Sequence, residues 1–434
     1  MTARFDPAGP LRGSLRPPSD KSISHRAALI AAMSAGETAI EGYLDSADTR
    51  STLAAVQAIG AKVEGVGSSG VDPEVRVRGV GLRGAAPAAV DVGNAGTLLR
   101  LLPGWLAGQE RGRWTLDGDD SIRRRPVDRI AEPLDRMGAR LSCRDGRLPP
   151  LEIEGSALRG IEYELPVASA QVKSCLLFAG LLAESPTWVG EPLRSRDHTE
   201  RMLAAAGATV TWLRGGVEVR PARQLELGKM AIPADFSSAA FFLVGALLVG
   251  DSEVVLEEVG INPTRTGLLR ILERMGAELE VEPVGECGGE PVARIRARSS
   301  SLRGVEVGGG EIPFAIDELP LVALAACFAE GPTTIRDAAE LRRKESDRVE
   351  TTCEALVALG AVVEPAEDGM RIEGGGALRG GTVRSHGDHR IAMLAAVAGL
   401  ASRDGAEVEG MAAAAVSYPG FEADLASLSS GVRS

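Results

Sequence analysis

Pro17-Pro18-Ser19-Asp20-Lys21-Ser22-Ile23-Ser24-His25-Arg26-Ala27-Ala28-Leu29-Ile30-Ala31-Ala32-Met33 reads as three things in succession. Two prolines end an extended segment, a polar stretch opens a helix, and small apolar residues carry that helix towards Gly36. The polar opening holds one Lys, one Arg, one His and three Ser, placed where a helix presents unpaired N–H donors. Those donors and the helix dipole both favour an anion. The design returns at Gly93-Asn94-Ala95-Gly96-Thr97, Ser169-Ala170-Gln171-Val172-Lys173-Ser174, Asp235-Phe236-Ser237-Ser238, Asp317-Glu318 and Asp388-His389-Arg390. The helices that follow are apolar nearly all round, so burial is expected for each.

The repetition extends beyond the helix starts. Leu11-Arg12-Gly13 reappears as Leu82-Arg83-Gly84, Leu158-Arg159-Gly160, Leu227-Gly228, Leu302-Arg303-Gly304 and Leu378-Arg379-Gly380, each before a short extended segment. After each buried helix come a β-branched strand and a second, amphipathic helix. Those second helices end on Ile59-Gly60-Ala61, Met137-Gly138-Ala139, Ala206-Gly207-Ala208, Met275-Gly276-Ala277 and Leu359-Gly360-Ala361, where Gly suits a left-handed C-terminal cap. Alternating strands such as Val75-Arg76-Val77-Arg78 follow. The chain therefore predicts six strand–helix–strand–helix–strand–strand units, the sixth truncated. Their period of roughly 70–80 residues exceeds the ~20–50 usual for solenoids. The fold class is α/β (α+β), with three units packed around their buried helices in each of two domains.

Composition narrows the function. A net charge of −12 argues against a nucleic-acid binder, so any bound anion must meet a local cationic pocket. Five of the 48 basic residues are Lys (21, 62, 173, 229 and 344), and Lys21, Lys173 and Lys344 fall inside polar motifs. Cys175, Cys327 and Cys353 sit in apolar helical patterns, as buried free thiols do, and the four His form no metal-ligand pattern. No signal peptide opens the chain, and its longest apolar run, Ala239 to Val249, is too short to span a membrane. A cytoplasmic protein without metal or cofactor, and without nucleic-acid or membrane partners, is expected.

The motifs suggest anion chemistry with proton transfer. Lys21-Ser22-x-x-x-Arg26 offers a phosphate two full charges, a hydroxyl and backbone donors. Gly96 allows close backbone approach to a ligand, unless the segment is only a turn with an Asn cap. In Arg123-Arg124-Arg125-Pro126, the proline step aims Arg125 at the helix that begins near Asp128. Arg342-Arg343-Lys344-Glu345-Ser346-Asp347-Arg348 mixes cations with carboxylates. Asp317-Glu318 and Asp388-His389-Arg390 place ionisable groups at buried helix starts, where they need partners or a ligand.

Together these stretches resemble the enolpyruvyl transferases of the EPSP synthase (3-phosphoshikimate 1-carboxyvinyltransferase) family. The most specific pieces are Gly93-Asn94-Ala95-Gly96-Thr97, Arg342 to Arg348 and Gly387-Asp388-His389-Arg390-Ile391-Ala392-Met393. Ser195-Arg196-Asp197-His198-Thr199-Glu200 and Ile316-Asp317-Glu318-Leu319-Pro320 also match. The resemblance implies two domains of three repeats, with buried helix N-termini facing an interdomain cleft. It further implies a double chain crossover, so that residues 1–19 plus 235–434 form one domain and 20–234 the other. The implied reaction moves the carboxyvinyl group of phosphoenolpyruvate to the 5-hydroxyl of shikimate 3-phosphate by addition and elimination. No cofactor is implied, and a monomer is expected.

Carried over residue by residue, Lys21, Ser22, Arg26, Ser169, Ala170, Gln171, Arg196, Asp317 and Lys344 would hold shikimate 3-phosphate. Lys21, Gly96, Arg125, Gln171, Arg348 and Arg390 would hold phosphoenolpyruvate. Asp317 would take the 5-hydroxyl proton, Glu345 would exchange the methylene proton, and Lys21 would serve both substrates. Three positions depart from some members: Val416 replaces a Lys, Ala170 a Ser and Glu340 an Asn. The family also implies glyphosate as a competitor of phosphoenolpyruvate, with the open Gly96 expected to admit it. One rival is the sister transferase acting on UDP-N-acetylglucosamine, which usually carries a reactive Cys in the region that here runs from Asp117 to Pro126 without one. The other rival is a non-catalytic anion-binding repeat protein, for which carboxylates among the cations would have no use.

Overall fold

The computed structural model describes residues 2–65, 73–213 and 215–429. The six polar starts open the helices Lys21–Met33, Gly96–Ala107, Ala170–Gly180, Phe236–Leu248, Leu319–Cys327 and His389–Ala401. Four of them are capped by a side-chain oxygen: Asp20 accepts from Ile23 N, Ser169 from Val172 N, Asp235 from Ser237 N and Asp388 from Arg390 N. These inner helices are enclosed as their composition demands; every residue of Leu319–Cys327 is buried. Small residues let them pack tightly. A Cβ on Gly104 would stand 2.0 Å from the Cys175 carbonyl oxygen, so glycine is what allows helix Gly96–Ala107 to lie against helix Ala170–Gly180.

The second helices are Ala47–Ala58, Asp128–Arg136, His198–Ala205, Gly267–Met275 and Arg348–Ala358. Gly267–Met275 buries Leu268, Ile271, Leu272 and Met275, the stripe of a half-buried helix. The expected glycines follow with left-handed φ: Gly60 at 106°, Gly138 at 96°, Gly207 at 88°, Gly276 at 91° and Gly360 at 95°.

Among the described residues, five four-stranded sheets and one three-stranded sheet share one plan. In four of the six, the strand before the inner helix runs parallel to the strand after it, and in each four-stranded sheet the strand after the helix also pairs antiparallel with a later strand. In one of them, Ala88–Asp91 pairs parallel with Arg113–Asp117, which pairs antiparallel with Leu148–Glu154 and through it with Arg140–Arg144. The Leu of the repeated marker is a buried plug in every copy, from Leu11 at 0% exposure to Leu227 at 8%.

A plain tandem reading gives each marker strand to the helix that follows it, and two strands depart from this. Arg12–Leu15 precedes helix Lys21–Met33 in sequence yet pairs parallel with Glu253–Gly260. The partner of Glu37–Glu41, which follows helix Lys21–Met33, is instead Lys229–Ala231. The sixth copy is also completed from a distance, because Thr2–Phe5 supplies the third strand beside Ala406–Glu409.

The chain divides into two compact units, one of Met1–Pro18, Ala234–Glu286 and Pro291–Ser434, the other of Ser19–Pro233 with Cys287–Glu290. The first, discontinuous unit has its own core, in which Phe241, Phe242, Tyr418 and Phe421 stack edge to face. The second, inserted unit has a separate core around Trp105, Trp114 and Phe178. Cys175, Cys327 and Cys353 are buried free thiols, at 0%, 1% and 4% exposure.

Candidate active site

In the inserted unit, the starts of its three inner helices are tied together by side chains. The ammonium of Lys21 lies 3.1 Å from Asp48 Oδ2, and both groups are largely shielded. Asp48 comes from the first turn of helix Ala47–Ala58, which Ser46 caps. One turn beyond Lys21, Arg26 is 3% exposed. Its Nε donates to Thr199 Oγ1 at 2.7 Å, its Nη2 to Ser174 Oγ at 3.1 Å and its Nη1 to the Ser22 carbonyl at 2.9 Å. Arg26 therefore braces the helix start from beneath, while Lys21 and Ser22 keep part of their surface exposed. Beside it, His25 is fully buried with Nδ1 2.6 Å from Thr52 Oγ1. Burial lowers its pKa to about 4, against the opposing pull of Asp48, so the ring is neutral.

The Gly96 start is built differently. No side chain caps this helix. Asn94 instead accepts from Arg125 Nη2 at 3.0 Å and donates to Asp119 at 2.6 Å. Of the three consecutive arginines, Arg123 is spent on Asp117 at 2.8 Å and Arg124 is exposed. Arg125 turns back to the Gly96 helix rather than forward to the helix at Asp128. A Cβ on Gly96 would lie 2.4 Å from Arg125 Nη1 and 3.2 Å from Arg100 Nη1, so this glycine makes room for guanidinium groups. Arg100 also donates to Gln171 Oε1 at 3.2 Å, and Gln171 Nε2 donates to Thr97 Oγ1 at 3.2 Å. Arg100 was missed in the sequence, although it stands one helical turn after Gly96 as the lone charge in an apolar helix. Ser169, Ala170 and Arg196 are half-buried in the same unit.

Lys173, singled out as one of few lysines, is not a ligand candidate. It is 1% exposed and 2.7 Å from both Glu191 and Glu200. Burial pushes the Glu200 carboxyl up, and Lys173 pulls against that rise.

In the discontinuous unit, Arg348 is the hub. It is 1% exposed and donates from Nε to Asp388 at 2.8 Å, from Nη2 to Glu345 at 2.5 Å and from Nη1 to Asp317 at 3.3 Å. Lys344 reaches the same Asp317 oxygen at 3.1 Å. Although burial opposes ionisation of Asp388, Arg348 outweighs it and holds that carboxyl below its usual range. Three carboxylates likewise keep the Arg348 guanidinium firmly charged. Arg390 donates to the Asp317 carbonyl at 3.0 Å and to Glu318 at 3.3 Å.

The geometry separates two carboxylates that are adjacent in sequence. Glu318, 1% exposed, accepts from Ser237 and Arg390 and belongs to a buried network that continues from Ser237 to Arg265 and Asp235. Asp317 faces Lys344 and Arg348 Nη1, with Glu345 on the other terminal nitrogen of the same guanidinium. Val416, in the turn Met411–Val416, brings no charge.

The candidate residues thus fall into two sets. Lys21, Ser22, Arg26, Gly96, Arg125, Ser169, Ala170, Gln171 and Arg196 belong to the inserted unit, and Asp317, Lys344, Glu345, Arg348 and Arg390 to the discontinuous one. The first set is cationic and hydroxylic; the second combines cations with carboxylates able to move protons.

Comparison with known proteins supplies the family. Residues 5–425 match the family model described as EPSP synthase (3-phosphoshikimate 1-carboxyvinyltransferase). The chain is 49% identical to a 3-phosphoshikimate 1-carboxyvinyltransferase of Desulforudis audaxviator, covering 99% of each chain. It is 51% identical to one from Gloeobacter violaceus over 97% of each. Among solved structures, an EPSP synthase from Acinetobacter baumannii superposes with a TM-score of 0.86 at 42% identity, covering 98% of this chain and 97% of that one. The enolpyruvyl transferase NikO from Streptomyces tendae shares the fold, with a TM-score of 0.79 at 19% identity over 98% and 96% of the two chains.

Proposed function

This chain belongs to the EPSP synthase (3-phosphoshikimate 1-carboxyvinyltransferase) family, and we propose that it transfers the carboxyvinyl group of phosphoenolpyruvate to the 5-hydroxyl of shikimate 3-phosphate. The products are 5-enolpyruvylshikimate 3-phosphate and inorganic phosphate. One observation carries the mechanism: Asp317 and Glu345, from separate segments, meet the same buried guanidinium of Arg348. Addition needs a base at the attacking hydroxyl and an acid at the methylene carbon, and two carboxylates on different nitrogens of one cation divide that work.

In this reading Lys21, Ser22, Arg26, Ser169, Ala170, Gln171, Arg196 and Lys344 hold shikimate 3-phosphate. Lys21, Gly96, Arg125, Gln171, Arg348 and Arg390 hold phosphoenolpyruvate. Asp317 takes the 5-hydroxyl proton as the oxygen bonds to C2, and protonated Glu345 delivers a proton to C3, giving a tetrahedral ketal. An anion on Arg348 competes with Glu345 for that guanidinium. In the second half Glu345 takes a proton back from the new methyl group while the C2–O bond to phosphate breaks, and the proton that Asp317 took from the hydroxyl leaves with the phosphate. Arginine forks match the departing phosphate, and Lys21 adds a mobile charge.

The reading also takes 1–19 plus 235–434 and 20–234 as two domains, and the protein as a cytoplasmic monomer. No helix among the described residues is long and apolar enough to cross a membrane. Phosphate release from phosphoenolpyruvate, measured with each acceptor in turn, tests the assignment. Release should require shikimate 3-phosphate. Release with UDP-N-acetylglucosamine instead, or with neither acceptor, overturns it.

A further inference from the structure

Lys173 has no part in the mechanism above, yet a buried ammonium held by two buried carboxylates is costly to build. Lys173, Glu191 and Glu200 are 1%, 9% and 2% exposed, and each Nζ–Oε distance is 2.7 Å. Glu200 Oε2 has no hydrogen-bond partner. Apolar packing of similar volume often stabilises as well as a buried ion group does, so stability is a weak reason to keep this one. What the triad does is join three segments: helix Ala170–Gly180, the residue after strand Thr187–Gly190, and helix His198–Ala205.

Each segment carries a residue of the shikimate 3-phosphate set or its support. Ser174, next to Lys173, bonds Arg26 Nη2 at 3.1 Å and lies 2.6 Å from Thr199 Oγ1. Thr199, next to Glu200, accepts from Arg26 Nε at 2.7 Å. Glu191 extends the link to Arg196, because its Oε1 accepts from the Ser195 backbone N at 3.2 Å and from Ser195 Oγ. On the other flank of Arg196, Asp197 is gripped by Arg194 at 2.9 Å and Arg201 at 3.0 Å. The loop bearing Arg196 is thus pinned at both ends, and at one of them the pin is Glu191, itself fixed by Lys173.

We propose that Lys173 is a positioning residue for shikimate 3-phosphate, setting Arg196 and Arg26 relative to the helix start at Ser169 through Glu191 and Glu200. The inference rests on the substrate reading given above. It requires that loss of the ammonium weaken shikimate 3-phosphate far more than phosphoenolpyruvate, since Arg125, held by Asn94 and Ser121, and Gly96 belong to other segments than the triad.

The test is steady-state kinetics on full-length Lys173→Met with each substrate varied, together with calorimetric titration of shikimate 3-phosphate alone. The KM and Kd for shikimate 3-phosphate should rise by on the order of tenfold or more, as expected of misplaced binding groups. The kcat and the KM for phosphoenolpyruvate should stay within about twofold. A variant that loses thermal stability with an unchanged Kd, or in which both KM values rise together, overturns the proposal. If Lys173→Met does not fold, Glu191→Ala serves, because it leaves Lys173 paired with Glu200 while releasing Ser195. It should raise the same Kd, and an unchanged value again overturns the proposal. A wild-type protein that neither binds nor turns over shikimate 3-phosphate fails earlier, and refutes the substrate reading instead.

Discussion

Asp317, Gly96 and His25 are single residues whose surroundings dictate distinct outcomes. Replacing Asp317 with Ala removes a carboxylate from beside Lys344 and Arg348, and the lower negative charge there offsets the lost contact to the 5-hydroxyl of an anionic substrate. In Asp317→Ala, kcat should fall by about 10²-fold or more, while the Kd for shikimate 3-phosphate stays within a few-fold. Equal loss of both would make Asp317 structural. For Gly96→Ala, the new methyl meets the mobile end of Arg125 rather than backbone, so folding tolerates it. The displaced guanidinium should raise the KM for phosphoenolpyruvate and weaken glyphosate inhibition, which inhibition titration of both proteins reads directly. His25 is neutral when folded, with its pKa lowered to about 4 from 6.5. The unfolded chain takes up this proton below pH 6.5 and the folded chain does not, so stability falls as pH drops from 6.5 towards 4. Across that window the loss amounts to roughly 3 kcal/mol. Urea unfolding of His25→Asn at several pH values should show a flatter acid limb; an unchanged slope assigns the acid sensitivity elsewhere.

The inner helix is the element that recurs, and its two kinds of start explain what could be read in advance. Asp20, Ser169, Asp235 and Asp388 announce themselves, since a short oxygen-bearing side chain before an apolar run has one common use. Asp20→Ala should cost about 1 kcal/mol of stability through the lost bond to Ile23 N, measurable in the same unfolding assay. The glycines closing the second helices were equally legible, because a left-handed φ admits few other residues. Side-chain partnerships were not. Nothing in the order of residues says that Arg125 turns to Asn94 rather than forward along its own segment, or that Asp317 is exposed to cations while Glu318 is locked to Ser237. Such choices depend on segments distant in sequence that folding brings into range. The three lysines in polar motifs looked alike for this reason, although Lys21 keeps part of its surface exposed and Lys173 is enclosed by carboxylates.

For the molecule as a whole, sixfold repetition made the units and their sheets legible, but local periodicity carries no record of which copy a strand joins. Arg12–Leu15 with Glu253–Gly260, and Lys229–Ala231 with Glu37–Glu41, are exchanges that only the family resemblance pointed towards. Removing residues 2–18 would delete Thr2–Phe5 and Arg12–Leu15, the edge strands of two sheets in the discontinuous unit. Hydrogen exchange should then show lost protection at Glu253–Gly260 and Ala406–Glu409, with amides of helix Gly96–Ala107 still protected; a uniform loss would mean the two units do not fold separately. The proposed reaction draws on residues of both units, and the proton at C3 reports on the part given to Glu345. Turnover of phosphoenolpyruvate with shikimate 3-phosphate in D2O, followed by mass spectrometry and proton NMR of the product, is the decisive measurement. Addition and elimination through Glu345 should release phosphate and place deuterium in the vinyl methylene of the product, whereas phosphate released with no deuterium at that carbon, or no release at all, would contradict it.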